Sequence, residues 1–251
     1  MTLAAPAGTS RSLVFDPTWR SFSSTQGGLV VGHLLDVAAE LTGAAPRAVT
    51  AHLLAGVVPD VEAVVTAAAD RTGRTGSVRS ELRQDGAVRA VAQVLTSAVA
   101  SSPTTEHSPR DVLPRLEDGE PFALPRDYVP VAEHTEIRAL GTSRPLGGGH
   151  EPRLHAWVRI GGELPPLVQL GVLLDALPPS LFAVRTSPAS MPTVELSAHL
   201  TAAAPPTGAW VRVDQRTVWQ DAEVAVDEVE LRALDGSPVA LGRQTRRLLA
   251  G

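Results

Sequence analysis

Two copies of one hairpin-like sequence lie about 150 residues apart in this 251-residue chain. Residues 81–93 read ELRQDGAVRAVAQ and residues 230–244 read ELRALDGSPVALGRQ. Both contain Glu-Leu-Arg, then Asp-Gly, then a Val five positions before a Gln. Asp-Gly between alternating apolar segments is typical of a β-hairpin, because glycine tolerates the positive φ of a tight turn. The offset is far longer than a solenoid period, so it predicts a duplicated domain of about 120 residues, with chance similarity of two ordinary hairpins as the alternative.

A strongly apolar helix is predicted upstream of each hairpin. We expect the first over residues 28–42, where apolar side chains recur at helical spacing and Gly43 is placed to end the helix. The second is expected over residues 166–177 and is apolar on nearly all sides, which indicates burial. Strand-like segments follow each helix, and in residues 223–232 the alternation slips phase near residues 227–229, which predicts a bulge or a strong twist. Each half is therefore predicted to be α+β, with one helix against an antiparallel sheet.

The segment between the halves is rich in Ser, Thr, Pro and charge, as is typical of a surface linker. We predict an N-terminal domain over residues 1–100, a linker over residues 101–130 and a C-terminal domain over residues 131–251.

Composition excludes several classes of function. The chain has no cysteine, which rules out disulfides, thiolate metal sites and cysteine nucleophiles. The formal net charge of -5 argues against a nucleic-acid partner. No stretch approaches the roughly 18 apolar residues of a transmembrane helix, and the N-terminal residues do not resemble a secretory signal. We therefore expect a cytoplasmic protein with neither a membrane nor a nucleic acid as partner.

The order of several motifs resembles the TesB-like acyl-CoA thioesterases, especially their divergent actinobacterial type. The motifs are TQGGLVVGHLL at 25–35, WVR at 157–159, DALPP at 175–179, MPTVELSAHL at 191–200 and VALGRQ at 239–244. The resemblance covers roughly residues 15–248. It implies a tandem (double) hotdog fold, in which two long helices are each wrapped by a curved antiparallel sheet. It also implies hydrolysis of an acyl-CoA or acyl-carrier thioester in lipid metabolism, with no cofactor and no metal, and it allows a homo-oligomer.

The same resemblance implies a single site in which an Asp, a Thr and a Gln hold the attacking water. Carried over by position, these residues are Asp175, Thr193 and Gln244. A carboxylate can act as the base, and a hydroxyl and an amide can each donate and accept hydrogen bonds to one water. The oxyanion is expected at Gly27 and Gly28, because the free N–H groups of a helix N-terminus favour negative charge.

Ordinary structural roles compete with this interpretation. Taken alone, Asp175 could cap a helix, Thr193 could begin a strand, and Gln244 could be an exposed strand residue like its counterpart Gln93. We expect the mid-helix Asp36 to be solvated. The arginines near the C-terminus, Arg243, Arg246 and Arg247, could form a solvated strand face or contact the phosphates of a carrier.

Two other functions fit the same architecture. A double-hotdog dehydratase or hydratase needs a histidine before the first helix as its general base. Residues 24–27 are Ser-Thr-Gln-Gly instead, and His33 lies inside the predicted helix. A non-catalytic acyl-binding protein is the other alternative. Residues 201–204, just after His199, are Thr-Ala-Ala-Ala, where the family usually has aromatic and basic residues.

Overall fold

The computed structural model of the protein describes residues 8–99, 105–106, 113–201 and 204–249. The helices are α1 (Gly27–Thr42) and α2 (Pro166–Leu174). The strands of the first half are β1 (Gly8–Val14), β2 (Arg20–Ser21), β3 (Ser24–Thr25), β4 (Ala45–Leu53), β5 (Glu62–Arg71), β6 (Thr75–Gln84) and β7 (Ala87–Ser97). The later strands are β8 (Glu120–Phe122), β9 (Thr135–Ala139), β10 (Arg153–Ile160), β11 (Thr193–Leu200), β12 (Val211–Gln220), β13 (Val224–Ala233) and β14 (Pro238–Arg247). Short 3-10 helices span Pro17–Trp19, Leu116–Asp118, Pro130–His134 and Ser180–Ala183.

One antiparallel sheet runs through the described part of the chain. Its strand order is β1-β5-β6-β7-β4-β11-β14-β13-β12-β10-β9-β8, so strands from before and after the middle of the chain occupy separate halves of it. The halves join where β4 pairs with β11, with Ala51 opposite Leu196. Strands β2 and β3 form a separate small ribbon next to the start of α1. A large antiparallel sheet carrying two helices is the arrangement expected of a hotdog fold.

Both predicted hairpins are present. Strands β6 and β7 are joined by Asp85 and Gly86, whose φ angles of 52° and 74° are those of a tight turn with two left-handed residues. Strands β13 and β14 are joined by a longer turn in which Gly236 has φ 84°. The Asp-Gly pairs therefore mark turns in both halves, and the second turn is longer by two residues.

The helices begin where the sequence predicts, and α2 ends earlier. Helix α1 ends at Gly43, whose φ of 61° and N–H bond to the Ala39 carbonyl make it the predicted C-cap. Helix α2 ends at Leu174 instead of residue 177, because Asp175 leaves the helical conformation with φ -127° and ψ 28°. The carboxylate therefore projects from the end of the helix.

Glycines allow α1 and α2 to cross in backbone contact. A Cβ placed on Gly32 would lie 2.6 Å from the Val168 Cα, and one on Gly171 would lie 2.4 Å from the Gly28 carbonyl oxygen. Side chains of ordinary size would hold the helix axes about 8–10 Å apart. The small residues thus bring the N-terminus of α1 directly against the C-terminal end of α2.

The predicted bulge in residues 227–229 is wrong. Strand β13 alternates regularly between inward and outward residues, and Asp227 is an inward position with a side chain 1% exposed. The irregularity lies on the neighbouring strand, between Thr217 and Trp219 of β12. The hydrophobic alternation looked broken because a buried carboxylate occupies a place where an apolar residue was expected.

Parts of the predicted linker are ordered against the second half of the sheet. Strand β8 lies within residues 101–130 and pairs with β9. The Trp157 indole donates a hydrogen bond of 3.2 Å to the Arg115 carbonyl. Residues 100–104 and 107–112 lie outside the described part, and the domain limits remain a prediction. Among the described residues, no helix is both long enough and apolar enough to cross a membrane.

Candidate active site

The N-terminus of α1 and the C-terminus of α2 meet at Asp175. The Gly28 N–H donates a hydrogen bond of 3.1 Å to Asp175 Oδ2. A helix N-terminus carries unpaired N–H groups and a partial positive charge, so it is a favourable partner for a carboxylate. The Asp175 side chain is only 10% exposed and lies at the junction of the two halves.

Gln26 connects the two helix ends. Its Oε1 accepts a hydrogen bond of 3.0 Å from the Leu29 N–H, which caps α1. Its Nε2 donates to the Asp175 carbonyl at 2.8 Å and to the Val172 carbonyl at 3.3 Å. The side chain therefore satisfies backbone groups of both helices and fixes Asp175 relative to the start of α1.

Thr193 and Gln244 reach Asp175 from neighbouring strands. Thr193 begins β11, and its hydroxyl lies 3.3 Å from Asp175 Oδ1 and 3.5 Å from Gln244 Oε1. Gln244 is fully buried on β14, and its Nε2 donates to the Leu174 carbonyl. That bond orients the amide so that its oxygen faces Thr193. The structure thus brings together the three side chains that the sequence predicted as partners.

A buried arginine lies behind these residues. Arg246 has a side chain 5% exposed and donates from Nη1 to the Thr193 hydroxyl at 3.0 Å. Its Nε donates to Asp227 Oδ2 at 2.8 Å, and its Nη2 lies 3.8 Å from Asp175 Oδ1. The expectation that Arg246 lies on a solvated strand face is wrong, because Gln244 and Arg246 share the inward face of β14. Arg243 and Arg247 are on the exposed face, where Arg243 pairs with Glu228.

Asp227 anchors the cluster from β13. Its Oδ2 accepts hydrogen bonds from the Ser180 N–H at 3.2 Å, the Gln215 amide at 3.3 Å and the Arg246 Nε. Its Oδ1 accepts one of 2.6 Å from the Thr217 hydroxyl. A buried carboxylate requires such partners, since an unpaired one would be strongly disfavoured.

The environment of Asp175 perturbs its acidity. Burial raises the pKa of Asp175 above its ordinary value, because a carboxylate is poorly solvated there. The Arg246 charge and the hydrogen bonds from the Gly28 N–H and Thr193 oppose this rise in the pKa, while the Asp227 charge adds to it. A carboxylate held in this balance is suited to accept a proton from water.

The two glycines predicted for the oxyanion occupy different positions. The Gly28 N–H is already bonded to Asp175, whereas the Gly27 N–H has no hydrogen-bond partner among the described residues. Gly27 is half-buried at the opening of the site. Asp36 is not part of the site and is not solvated as expected. Its side chain is 19% exposed and pairs with Arg11 at 2.6 Å.

Sequence reasoning missed three residues of the cluster. Gln26 carried no signal, because glutamine is not among the preferred helix N-caps. Asp227 had a signal in the broken alternation, which was interpreted as a bulge. Arg246 is two residues after Gln244, and this spacing places both side chains on one face of a strand.

Groups needed by other reactions are placed elsewhere. His33 lies on α1 against the Phe15 ring, at a centroid distance of 5.5 Å, and its buried Nδ1 makes no hydrogen bond to any residue that the structure describes. The residues just before and at the start of α1, where we expect a dehydratase to need its histidine, are Ser24, Thr25, Gln26 and Gly27. Within the part of the chain that the structure describes, no three His, Asp or Glu residues are grouped to hold a metal ion. Residues 202–203, part of the divergent segment after His199, lie outside that part.

Comparisons with known proteins bear on the family and the fold of the chain. The family model described as acyl-CoA thioesterase C-terminal domain matches residues 106–247. A conserved protein of unknown function with a hot dog fold from Alicyclobacillus acidocaldarius superposes with a TM-score of 0.83 at 17% identity, covering 98% of this chain and 94% of that one. An acyl-CoA thioesterase II from Mycobacterium marinum superposes with a TM-score of 0.70 at 16% identity, covering 91% and 92%. No curated protein sequence matches the chain. The structural likenesses show that the fold is a hotdog fold.

Proposed function

The chain belongs to the acyl-CoA thioesterase family, and from this membership we propose that it hydrolyses acyl-CoA thioesters at the site formed by Asp175, Thr193 and Gln244. The observation that carries the proposal is the buried carboxylate of Asp175, which faces both Thr193 and the positive end of α1. The sequence favours direct attack by water over a covalent acyl-enzyme on serine or cysteine. The chain has no cysteine, and no serine lies in a Gly-x-Ser-x-Gly sequence.

Asp175 acts as the general base in this proposal. Its Oδ2 is held by the Gly28 N–H, which leaves Oδ1 to accept a proton from the attacking water. Thr193 and Gln244 hold that water at the correct distance from the thioester carbon, and such positioning lowers the barrier by making attack effectively intramolecular. The raised pKa of Asp175 strengthens it as a base as long as the carboxyl stays ionised at the working pH.

The developing oxyanion is assigned to the first turn of α1. The Gly27 N–H, which has no partner among the described residues, is available to a substrate oxygen and lies at the positive end of the helix dipole. Gly28 then has a different role from the one predicted from sequence, since its N–H orients the base. Adjacent N–H groups of one helix thus serve the base and the oxyanion separately.

We also propose that the sheet consists of two hotdog units in tandem, one on each side of the β4–β11 pairing. Each unit contributes one helix, and the repeated hairpins β6–β7 and β13–β14 occupy corresponding places in the two halves. The site needs both units, because Gly28 comes from the first and Asp175 from the second. This division explains why the halves remain in one chain.

The proposal is tested with a panel of acyl-CoA substrates of increasing chain length, including one acyl-carrier protein. Release of free thiol is followed with a thiol reagent, to which this cysteine-free protein contributes no background. We expect Asp175→Asn to lower kcat by about 10²-fold or more, as for loss of a general base, while KM changes by only a few-fold. Thr193→Ala and Gln244→Ala should each lower kcat less.

Single-turnover hydrolysis in H₂¹⁸O and trapping with hydroxylamine together distinguish the two mechanisms. Direct attack by water places the label in the product acid, as does an acyl-Asp175 anhydride opened at its acyl carbon, whereas an anhydride opened at the aspartyl carbon would label Asp175. An acyl group trapped on Asp175 by hydroxylamine, or wild-type turnover by Asp175→Asn, would contradict the general-base mechanism. Absence of hydrolysis across the whole panel would contradict the function itself.

A further inference from the structure

We propose that Arg246 is a positioning residue of this site, which holds the Asp175 carboxylate and the Thr193 hydroxyl in the arrangement that binds the attacking water. The inference rests on the proposed function for its catalytic meaning, but the contacts that support it are independent of any substrate. A cation with a side chain 5% exposed lies between two buried carboxylates, Asp175 and Asp227.

The hydrogen bonds of Arg246 determine what Thr193 can do. Its Nη1 donates to the Thr193 oxygen at 3.0 Å, so the single hydroxyl proton of Thr193 must be donated elsewhere. Asp175 Oδ1 at 3.3 Å and Gln244 Oε1 at 3.5 Å are the acceptors within reach. Arg246 therefore sets the direction in which Thr193 donates, because it occupies the acceptor side of the oxygen and leaves the hydroxyl proton for Asp175 or Gln244.

Arg246 is fixed by its other contacts. Its Nε bonds to Asp227, which itself accepts hydrogen bonds from Thr217, Gln215 and the Ser180 N–H. The remaining nitrogen, Nη2, is buried, has no hydrogen-bond partner among the described residues and makes only an ion pair of 3.8 Å with Asp175 Oδ1. A buried guanidinium nitrogen without a hydrogen bond is energetically costly, and buried charges of this kind cluster at functional sites.

The charges around Asp175 predict opposite effects for the two neighbours. Helix α1 presents its positive end, β11 the neutral Thr193 hydroxyl, β14 the Arg246 cation and β13 the Asp227 anion. Removing Arg246 should make Asp175 harder to ionise, and neutralising Asp227 should make it easier. An arginine that is not electrostatically coupled to Asp175 would produce no such pair of opposite shifts.

The experiment compares four proteins: the wild type, Asp227→Asn, the double variant Arg246→Gln/Asp227→Asn, and the control Arg243→Gln. The double variant avoids leaving Asp227 buried without its cation. The control removes an arginine from the exposed face of the same strand.

The readout is the acidic limb of the pH profile of kcat/KM. Relative to Asp227→Asn, which already lacks the anion, the double variant should move that limb upward by about one pH unit or more, because a cation at this distance lowers a carboxyl pKa by about 1–3 units. Asp227→Asn should move the limb downward, and Arg243→Gln should leave it unchanged.

A second measurement keeps the inference separate from the proposed function. Titration of Asp175 by infrared difference spectroscopy on ¹³C-aspartate protein, with Asp175→Asn as the blank, gives the same shifts without any substrate. If the wild type hydrolyses nothing, the proposed function is wrong and this titration still decides the role of Arg246. If the double variant does not fold, Asp227→Asn still tests the inference, because it leaves Arg246 as an unneutralised cation beside Asp175 and should lower the Asp175 pKa; an unchanged titration in that variant would contradict the inference. An Asp175 titration that none of the variants moves would overturn the inference.

Discussion

The contact between Gly28 and Gly171 makes one substitution especially informative. A Cβ on Gly28 would lie 2.3 Å from the Gly171 carbonyl oxygen and 2.8 Å from the Asp175 Cβ. Ordinary contact begins at 3.4 Å, so Gly28→Ala forces α1 and α2 apart by about 1.1 Å. The Gly171 carbonyl oxygen is a backbone atom and the Asp175 Cβ is bonded directly to the backbone, so neither atom can rotate away. The change therefore acts directly on the geometry of the site.

The expected loss of activity follows from this displacement. The hydrogen bond from the Gly28 N–H to Asp175, now 3.1 Å, would lengthen beyond the range of a hydrogen bond. A misplacement of about 1 Å in a catalytic group costs about 10²-fold in rate, so we expect kcat for acyl-CoA hydrolysis to fall by that factor. Overpacking costs about 1–3 kcal/mol, and the higher helix propensity of alanine offsets about 0.8–1 kcal/mol of it. The thermal midpoint should therefore fall only modestly, by roughly 0–8 °C.

Gly27→Ala is the matched control. Its added Cβ would meet the end of the flexible Leu53 side chain at 2.7 Å and Asp175 Oδ2 at 3.2 Å, and Leu53 can rotate aside. We expect this variant to lose much less activity than Gly28→Ala. The assay is thiol release at saturating acyl-CoA, measured well below the thermal midpoint of each protein. Near-wild-type kcat in Gly28→Ala, or an equal loss in both variants, would refute the argument that the helix crossing positions Asp175.

Three further predictions concern stability and its dependence on pH. Burial raises the pKa of Asp175, so its ionised form destabilises the fold, and Asp175→Asn should raise the thermal midpoint near neutral pH. That gain should disappear as the pH falls below the ordinary pKa of an aspartate, where both folded and unfolded forms are protonated; a midpoint lower than the wild type's at neutral pH would contradict it. Burial lowers the pKa of His33 from 6.5 to about 4, so the folded protein resists protonation of this ring in that range. The wild type should therefore lose stability relative to His33→Met as the pH falls from 6.5 to about 4. Stability curves of the two proteins that stay parallel over this range would contradict the prediction. Gln26→Ala leaves the Leu29 N–H and the Asp175 carbonyl without their partner and should cost about 1–3 kcal/mol in urea unfolding, with a parallel loss of kcat; an unchanged midpoint would argue against its role in joining the two helices.

Local structure could be read from the sequence because its causes are local. Asp-Gly requires left-handed backbone angles, and the turn at Asp85 and Gly86 has them. The apolar spacing after Gly27 and the cap at Gly43 fixed α1 to within one residue. The resemblance also selected Asp175, Thr193 and Gln244, which the structure brings into contact, although their roles remain predictions.

Only the tertiary structure determined on which face of its strand each side chain lies. Gln93 and Gln244 occupy the same place in the repeated sequence, yet Gln93 is exposed and bonds to Ser77 while Gln244 is buried in the site. Gln93 lies seven positions after Gly86, and Gln244 lies eight positions after Gly236. A difference of one residue reverses the face of a strand on which a side chain lies.

The buried charges depend in the same way on contacts between distant segments. Arg246 and Asp227 look like surface residues in the sequence, because a charged residue is seldom buried without a partner. Each becomes acceptable inside only because the other lies 2.8 Å away on the neighbouring strand, with Asp175 brought close by the end of α2. The sequence by itself therefore determined the elements and the candidate residues. Only the packing of the two halves determined the electrostatic setting of Asp175, since electrostatic interactions depend on distances in space and not on separation along the chain.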